Sequence, residues 1–260
     1  MNNLSLYNPA VFKIYKSNSQ RARVLSESWF SSEMYCPSCL NEKINTCPNN
    51  EKVKDFFCEK CQSEFQLKSS NKQFSTRVLD GEYNTMMSYI SLNSTPNFFL
   101  MQYSREEWFI KNLWVIPKFF VTSSIIEKRN PLSENARRKG WIGCNIILTN
   151  IPEEGKIAVV RNEKIIDKVM VNKKWKRMFF LNTKNPLSRG WTTDILRCIG
   201  DLSKNEFTLK EIYGFKGRLQ ELHPANLHIE EKIRQQLQIL RDNHILEFNE
   251  RGRYRLKEIP

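Results

Sequence analysis

The chain has 260 residues, of which 40% are hydrophobic and 12% aromatic, enough for one large domain or two modest domains with buried cores. This composition excludes a collagen-like, low-complexity or mainly disordered protein. The 41 lysines and arginines outnumber the 28 aspartates and glutamates and give a formal net charge of +13. Such a charge favours a polyanionic partner, either nucleic acid or an anionic membrane surface.

A membrane partner is not expected. The most apolar stretch, residues 113–121, contains Pro117 and Lys118, whereas a spanning helix needs about 20 apolar residues. The amino-terminal residues show no uninterrupted apolar segment of the kind found in signal peptides. We therefore expect a cytoplasmic protein, in which the seven cysteines are thiols or metal ligands and form no disulfides.

Apolar periodicity and turn residues predict the elements of the first two thirds of the chain. Helices are expected over residues 17–33, 82–92 and 173–181, and strands over residues 53–57, 63–69, 97–103, 108–116 and 156–160. Residues 122–142 form a long basic connection that contains the sequence ARRKGW. Connections of this length inside a compact domain are often functional.

The last third has a different pattern. A polar stretch with proline and glycine, residues 182–190, predicts a domain boundary. Helices are then expected over residues 191–202, 208–213 and 229–242, followed by strands over 245–248 and 253–256. Helices followed by a hairpin are the order of a winged helix, a variant of the helix-turn-helix. We place a first domain at residues 1–182 and a winged-helix domain at residues 187–260.

Four cysteines have the spacing of a zinc site. Cys36 and Cys39 are separated by two residues, Cys58 and Cys61 likewise, and 18 residues lie between the pairs. The pattern predicts a zinc module over residues 36–61 that holds structural Zn²⁺, because four thiolates leave no open coordination position. The weaker alternatives are unrelated core thiols and a redox-active pair.

A second group of residues flanks the second cysteine pair. If the two strands there pair, Asp55 lies beside Gln66 and Lys68. Two oxygen ligands hold a hard cation such as Mg²⁺, which polarises a phosphate, and a lysine can orient or deprotonate the attacking water. Taken alone, this spacing is a weak signal, because polar residues on the outer face of a strand are usually just solvated.

Several segments together resemble a known family. They are YKSNSQ at 15–20, CPSC at 36–39, DFFCEKCQSEFQLKS at 55–69, GWIGCNI at 140–146 and KIRQQLQILRDNHILEF at 232–248. In one register over nearly the whole chain, they are similar to the DpnI-like methyl-directed restriction endonucleases of the PD-(D/E)XK superfamily. The resemblance implies an α+β or α/β nuclease core with a four-cysteine zinc insertion, followed by a winged helix. It also implies Mg²⁺-dependent cleavage of duplex DNA at GATC sites that contain N6-methyladenine.

One position departs from the family motif. The family has a carboxylate two residues before the lysine, where this chain has Gln66. A glutamine oxygen can still bind Mg²⁺, but more weakly, since it is neutral. Glu64, on the same strand face, and Glu27, on the first long helix, are the candidates that could supply the missing charge.

Trp141 is the candidate for reading the methyl group. Burying one methyl against an aromatic face is worth about 0.8 kcal/mol, and the resemblance assigns the tryptophan of this segment to the pocket of the methylated base. The alternative is a core residue. Arg137 and Arg138 are expected to contact phosphates, because they precede Trp141 in the basic connection.

The expected winged helix supplies further DNA contacts. On the helix over residues 229–242 we expect Lys232, Gln235 and Gln236 to face base edges, and Arg251 and Arg253 to form a basic wing; a plain solvated face is the alternative. We expect a monomer. Other functions compatible with these patterns are a non-catalytic binder of methylated DNA and an RNA-binding zinc-ribbon protein.

Overall fold

The computed structural model describes residues 1–48 and 53–257. The chain forms two compact units. The first consists of Met1–Ser75, Ser94–Lys118 and Glu154–Met178, and the second of Thr76–Asn93, Phe119–Glu153 and Phe179–Pro260. The units are thus interleaved in sequence. The predicted limits, 1–182 and 187–260, do not describe these units and stay a prediction about domains.

The elements are named in chain order. The helices are α1 Pro9–Ile14, α2 Asn18–Glu33, α3 Tyr83–Ser91, α4 Lys168–Arg177, α5 Pro186–Asp201, α6 Leu209–Tyr213, α7 Lys216–Leu222 and α8 Ile229–Asp242. The strands are β1 Asn45–Thr46, β2 Phe56–Phe57, β3 Glu64–Ser70, β4 Arg77–Glu82, β5 Asn97–Ser104, β6 Phe109–Ile116, β7 Ile126–Lys128, β8 Gly143–Ile147, β9 Ile157–Arg161, β10 Lys164–Ile165, β11 Glu206–Thr208, β12 Leu246–Glu250 and β13 Arg253–Leu256. Over the described ranges, no helix combines the length and the apolar character needed to cross a bilayer.

The first unit is built on a mixed sheet with the strand order β1-β2-β3-β5-β6-β9-β10. Strands β3 and β5 run parallel and the other neighbours antiparallel. Helix α2 packs on this sheet through Phe30, whose ring centroid lies 4.7 Å from that of Phe99. Phe65 of β3 joins the same cluster and is fully buried. Aromatic packing therefore fixes α2 against the centre of the sheet.

The second unit contains two small antiparallel sheets, β4-β8-β7 and β11-β13-β12. Its long helix α8 has the predicted bounds. As expected from the spacing, Ile229, Ile233, Leu237 and Leu240 form a buried stripe. Helices α5 to α8 and the hairpin β12–β13 follow the order expected for a winged helix.

Some element predictions were wrong at their edges. The strand expected over 53–57 is reduced to Phe56–Phe57. The helix expected over 173–181 begins at Lys168, because the Asp167 carboxylate caps the amides of Val169 and Met170. The polar stretch 182–190 already contains the start of α5, where Asn185 is the N-cap. Pro186 begins the helix. Proline is favoured in the first turn because an amide there would have no hydrogen-bond acceptor within the helix.

The elements missed from sequence are mostly short or lie within the long basic connection. They are α1, β1, β4, β7, β8, β10, β11 and α7. Strand β7 lies inside the connection predicted over 122–142, and its register is set by pairing with β8. Such pairings depend on contacts between distant segments, which local periodicity does not reveal.

Candidate metal and nucleic-acid sites

A cavity of about 590 Å³ opens in the first unit between α2 and the edge of β3. Its lining combines carboxylates, amides, hydroxyls and two arginines. The residues are Asn18, Ser19, Ala22, Arg23, Ser26, Glu27, Asp55, Gln66, Leu67, Ser69, Ser70, Asn71, Tyr103 and Arg105. The sequence-predicted residues Asp55, Gln66 and Glu27 thus share one cavity.

Asp55 is held at the edge of β3 by three hydrogen bonds. Its backbone amide donates to Phe65 O over 2.9 Å, and its backbone oxygen accepts from the Cys47 amide over 2.8 Å. Its Oδ2 accepts from the Leu67 amide over 2.8 Å. Strand β2 pairs with β3 only through Phe56 and Phe57, so the Asp55 side chain continues the edge pairing. The carboxylate is therefore fixed in the cavity wall.

Gln66 follows on β3 and lines the same cavity. Its Oε1 atom is buried and has no hydrogen-bond partner among the described residues. Leaving a buried carbonyl oxygen unpaired costs free energy. A cation or a hydrogen-bond donor in the cavity would remove that cost.

Glu27 reaches the cavity from α2, one helical turn after Arg23. The Arg23 Nε atom lies 2.9 Å from Glu27 Oε1. The hydrogen bond and the charge of Glu27 raise the pKa of Arg23, to which the charge of Asp55 adds. The first long helix thus brings a carboxylate into the same cavity as Asp55.

Two predicted residues are placed differently. Glu64 forms an ion pair with Lys54, with 2.6 Å between its Oε1 and Nζ, and does not line the cavity. Lys68 lies on the same face of β3 as Gln66, in register with Leu100 of β5, and is also outside the cavity lining. The cavity therefore unites Asp55, Gln66 and Glu27 but includes neither Glu64 nor Lys68.

Sequence reasoning missed the two arginines of this cavity. Arg23 lies on the exposed side of a predicted helix, and Arg105 follows β5 in a turn. Neither has a distinctive sequence pattern, since isolated arginines are common on surfaces. Their shared cavity gives the site cations as well as carboxylates.

The four predicted cysteines lie together. The Cys36 and Cys61 sulfurs are 3.5 Å apart, those of Cys39 and Cys58 are 3.6 Å apart, and all four lie within 4.8 Å of one another. Four thiolates at tetrahedral Zn–S distances of about 2.3 Å place the sulfurs about 3.8 Å apart. The cluster could therefore hold a zinc ion.

The two cysteine pairs have matching backbone turns. In the first turn the Cys36 amide donates to Asn41 O, and the Leu40 amide donates to Cys36 O. In the second turn the Cys58 amide donates to Ser63 O, and the Gln62 amide donates to Cys58 O. Leu40 and Gln62 both have positive φ angles, 62° and 58°. Two equivalent turns thus aim four sulfurs at one point.

A buried asparagine attaches the first turn to α4. Asn172 is 5% exposed, and its Nδ2 donates to Pro37 O over 2.7 Å and to Ser38 O over 2.8 Å. Sequence reasoning missed this residue because no motif marks a single asparagine within a basic helix. The contact means that the cysteine cluster and α4 support each other.

The second unit contains the predicted methyl-reading segment. Trp141 is half-buried at the end of a basic loop, while Arg137 and Arg138 are exposed. The Arg138 guanidinium lies 4.8 Å from the centroid of the Trp141 ring, a cation–π contact. The indole is therefore partly accessible rather than enclosed in a core.

One predicted base contact on α8 is placed inside the unit. Gln236 is 1% exposed, and its Oε1 accepts from the Thr192 hydroxyl over 2.7 Å. The expectation that Gln236 faces bases was wrong about its orientation. Gln235 is exposed, and Lys232 donates to its Oε1, so these two lie on the accessible side.

The predicted wing is exposed. Arg251 lies at the tip of the β12–β13 hairpin, next to Gly252, whose φ of +75° suits a tight turn. Arg253 forms an ion pair with Glu250 over 3.1 Å, and Arg255 pairs with Glu206 over 2.9 Å. Part of the positive charge of the wing is therefore balanced by neighbouring carboxylates.

These features define a mixed α/β protein with a four-cysteine cluster and a carboxyl-terminal helix-turn-helix unit. The family model DpnI, described as the Dam-replacing family, matches residues 3–184. A second model, DpnI_C, described as the Dam-replacing HTH domain, matches residues 187–256. The chain belongs to the DpnI family, which confirms the resemblance seen in sequence. Membership supports a methyl-directed restriction-type function and binding to DNA.

Substitution of Gln236 and of its neighbour Gln235 tests whether the Gln236 side chain is buried. Gln236→Ala is expected to lower the free energy of unfolding by about 1–2 kcal/mol, since it removes a buried hydrogen bond, without changing the exposed surface. Gln235→Ala should leave stability within about 0.5 kcal/mol. Denaturant unfolding of both variants measures the difference. Equal stability of Gln236→Ala and the parent would contradict the buried role.

Proposed function

We propose that this protein is a methyl-directed type II restriction endonuclease. It binds duplex DNA that contains N6-methyladenine in GATC and hydrolyses a phosphodiester bond with the help of Mg²⁺. The observation that carries the proposal is the shared cavity of Asp55, Gln66 and Glu27 in a chain of the DpnI family. The net charge of +13 suits a DNA substrate.

The catalytic core is proposed to be of the PD-(D/E)XK type. Support comes from the mixed sheet, with α2 packed on it and with Asp55 and Gln66 at the edge of β3. Asp55 and Gln66 are proposed as the Mg²⁺ ligands, and the unpaired Oε1 of Gln66 fits that role. When bound, Mg²⁺ polarises the scissile phosphate and lowers the pKa of a water.

The other residues complete the proposed site. Glu27 supplies the second negative charge that Gln66 lacks, because its carboxylate lines the same cavity as Asp55. Lys68 is proposed to orient the attacking water and to stabilise developing charge from the neighbouring strand position. Arg23 and Arg105 are suited to attract the phosphate backbone.

The cysteine cluster is proposed to hold structural Zn²⁺ through Cys36, Cys39, Cys58 and Cys61. Four thiolates saturate a tetrahedral ion, so this zinc takes no part in hydrolysis. Burial raises the pKa of the Cys36 thiol, so zinc binding must displace its proton. The ion would fix the turn that separates Asp55 from Gln66.

DNA recognition is proposed to involve both the basic loop and the winged helix. Trp141 reads the methyl group, while Arg137 and Arg138 contact phosphates. Lys232 and Gln235 on α8 are the proposed base contacts, and Gln236 is withdrawn from that set. Arg251 and Arg253 are proposed to contact the backbone from the wing. A monomeric state and a cytoplasmic location stay predictions.

A second candidate function is a methylated-DNA-binding protein with little or no nuclease activity. The observation that favours it is Gln66 itself, since a neutral amide binds Mg²⁺ more weakly than a carboxylate. Both functions predict binding to methylated GATC. They differ only in whether the bound DNA is cut.

The first prediction concerns cleavage. With Mg²⁺, the protein is expected to cut plasmid that carries N6-methyladenine at GATC and to leave the same plasmid, prepared without adenine methylation, intact. Agarose electrophoresis measures the products. Binding of methylated plasmid without cleavage would favour the second candidate function, and cleavage that ignores methylation would contradict the proposal.

The second prediction concerns the metal site. Gln66→Glu is expected to cut faster or to need less Mg²⁺, because the carboxylate strengthens the ligand set. Asp55→Ala and Lys68→Ala are expected to lose cleavage but keep binding to methylated DNA. Initial rates across a Mg²⁺ titration provide the measurement. If Gln66→Glu left both the rate and the Mg²⁺ requirement unchanged, Gln66 would not be a ligand.

The third prediction concerns zinc. We expect one zinc per chain by metal analysis, with affinity that rises with pH, since Cys36 must lose a proton whose pKa burial has raised. Removing the metal with a chelator should unfold at least the region around β2 and β3, because thiolate–zinc binding is also folding free energy. Cys47→Ser is the matched control, as Cys47 is outside the cluster. Circular dichroism that stays constant after complete zinc removal would contradict a structural role.

A further inference from the structure

The basic loop that ends at Trp141 is closed by its own backbone. The Arg129 amide donates to Gly143 O, the Leu132 amide to Trp141 O, and the Gly140 amide to Leu132 O, over 2.9–3.1 Å. The Trp141 amide donates to Arg138 O over 3.1 Å. The backbone of Trp141 is thus held from both sides, so that the direction of its side chain is set by what lies next to the ring.

Gly143 lies directly against that ring. A Cβ atom at this position would stand 2.8 Å from both Cη2 and Cζ3 of the indole, and 3.2 Å from Arg129 Nη1. Gly143 begins β8 and is buried, and its φ is not in the left-handed region. The requirement for glycine is therefore one of space: any side chain here would push the indole from its position.

Arg138 also contacts the indole. Its guanidinium lies 4.8 Å from the ring centroid, and its side chain is exposed. The nearest acidic residue in the loop, Glu134, is paired instead with Lys139. An exposed cation–π contact is weak, whereas a charge-assisted hydrogen bond from arginine to phosphate is among the stronger polar contacts. A DNA phosphate can therefore draw Arg138 off the ring.

We propose that Gly143 is a specificity-determining residue that seats the Trp141 indole for the methylated base, and that Arg138 is a displaceable cap on that indole. Gly143 acts through Trp141 and is a positioning residue. In the free protein, Arg138 covers the ring; when the backbone of DNA binds Arg138, the ring is uncovered next to the adenine. The proposal rests on the proposed function, since it assumes that Trp141 reads the methyl group.

Gly143 has a matched control residue on the neighbouring strand. Gly81 lies on β4, next to β8, and a Cβ atom there would meet nothing within 4 Å. Gly143→Ala and Gly81→Ala therefore add the same methyl group to adjacent strands of one sheet, and only the first should displace Trp141. Trp141→Phe replaces the indole with a smaller ring, so it should relieve the clash between the added Cβ and the ring in Gly143→Ala.

The experiment measures affinity for methylated and unmethylated GATC duplexes by fluorescence anisotropy, without divalent metal and at one salt concentration. Each buried methyl is worth about fourfold in affinity, the equivalent of about 0.8 kcal/mol. We expect Gly143→Ala to lose this preference, Gly81→Ala to keep it, and Trp141→Phe to have a smaller effect in the Gly143→Ala background than in the parent. Unchanged circular dichroism and unchanged affinity for unmethylated DNA establish that the variants are folded.

A measurement without DNA tests separately whether Gly143 positions the Trp141 ring and whether Arg138 covers it. The emission of Trp141, taken as the difference between each protein and its Trp141→Phe counterpart, is titrated with acrylamide. Arg138→Ala should make this component easier to quench, and Gly143→Ala should change it, while Gly81→Ala should not.

The outcomes separate the two levels of the proposal. A parent protein that prefers methylated DNA, with a Gly143→Ala variant of equal preference, would overturn the inference and leave the function standing. A parent without any preference would contradict the proposed function and the role of Gly143 in specificity, and quenching would then decide only whether Gly143 positions the indole and Arg138 covers it. Quenching that is the same in the parent, Gly143→Ala and Arg138→Ala would overturn it.

Discussion

The hydrogen bond from the Leu67 amide to the Asp55 carboxylate closes the segment that carries Cys58 and Cys61 at the wall of the cavity lined by Asp55 and Gln66. Between these residues the chain leaves the sheet after β2, forms the turn that carries Cys58 and Cys61, and returns as β3. The distance between Asp55 and Gln66 in the cavity wall therefore depends on the length and closure of that turn. A cluster that closes the turn also fixes the carboxylate and the amide relative to each other.

The cysteine cluster can therefore influence the cavity without contributing a residue to its lining. The turn is small and has little apolar content of its own, so burial alone cannot hold it. Its support comes from the sulfur cluster and from Asn172, whose amide binds two carbonyls of the opposite turn. Loss of either support would loosen the edge of β3, where Asp55 and Gln66 lie.

The parts that could be predicted from sequence are those governed by local rules. Helix α8 has its predicted bounds because its apolar residues repeat at helical spacing, and the four cysteines gather because two-residue spacing defines a tight turn. The orientation of Gln236 was missed because its polar type suggested solvent, although its place beside Ile233 and Leu237 puts it on the buried side. The interleaved units and the pairing of β4, β7 and β8 could not be foreseen, since they depend on contacts between distant segments. Arg105 and Asn172 gain their importance only through such contacts.

In the proposed site Gln66 is neutral, so the second negative charge would come from Glu27, which is already paired with Arg23. That pairing is a weak obstacle, because the Arg23 side chain is 73% exposed and exposed ion pairs contribute about 0–1 kcal/mol. A divalent cation near Asp55 would attract the Glu27 carboxylate more strongly than a solvated guanidinium does, and Arg23 would then be free to meet a phosphate. The Arg23–Glu27 pair thus keeps a carboxylate and a guanidinium next to the cavity, where the proposed reaction would use both. In the proposed arrangement helix α2, rather than strand β3, would supply the second carboxylate of the site.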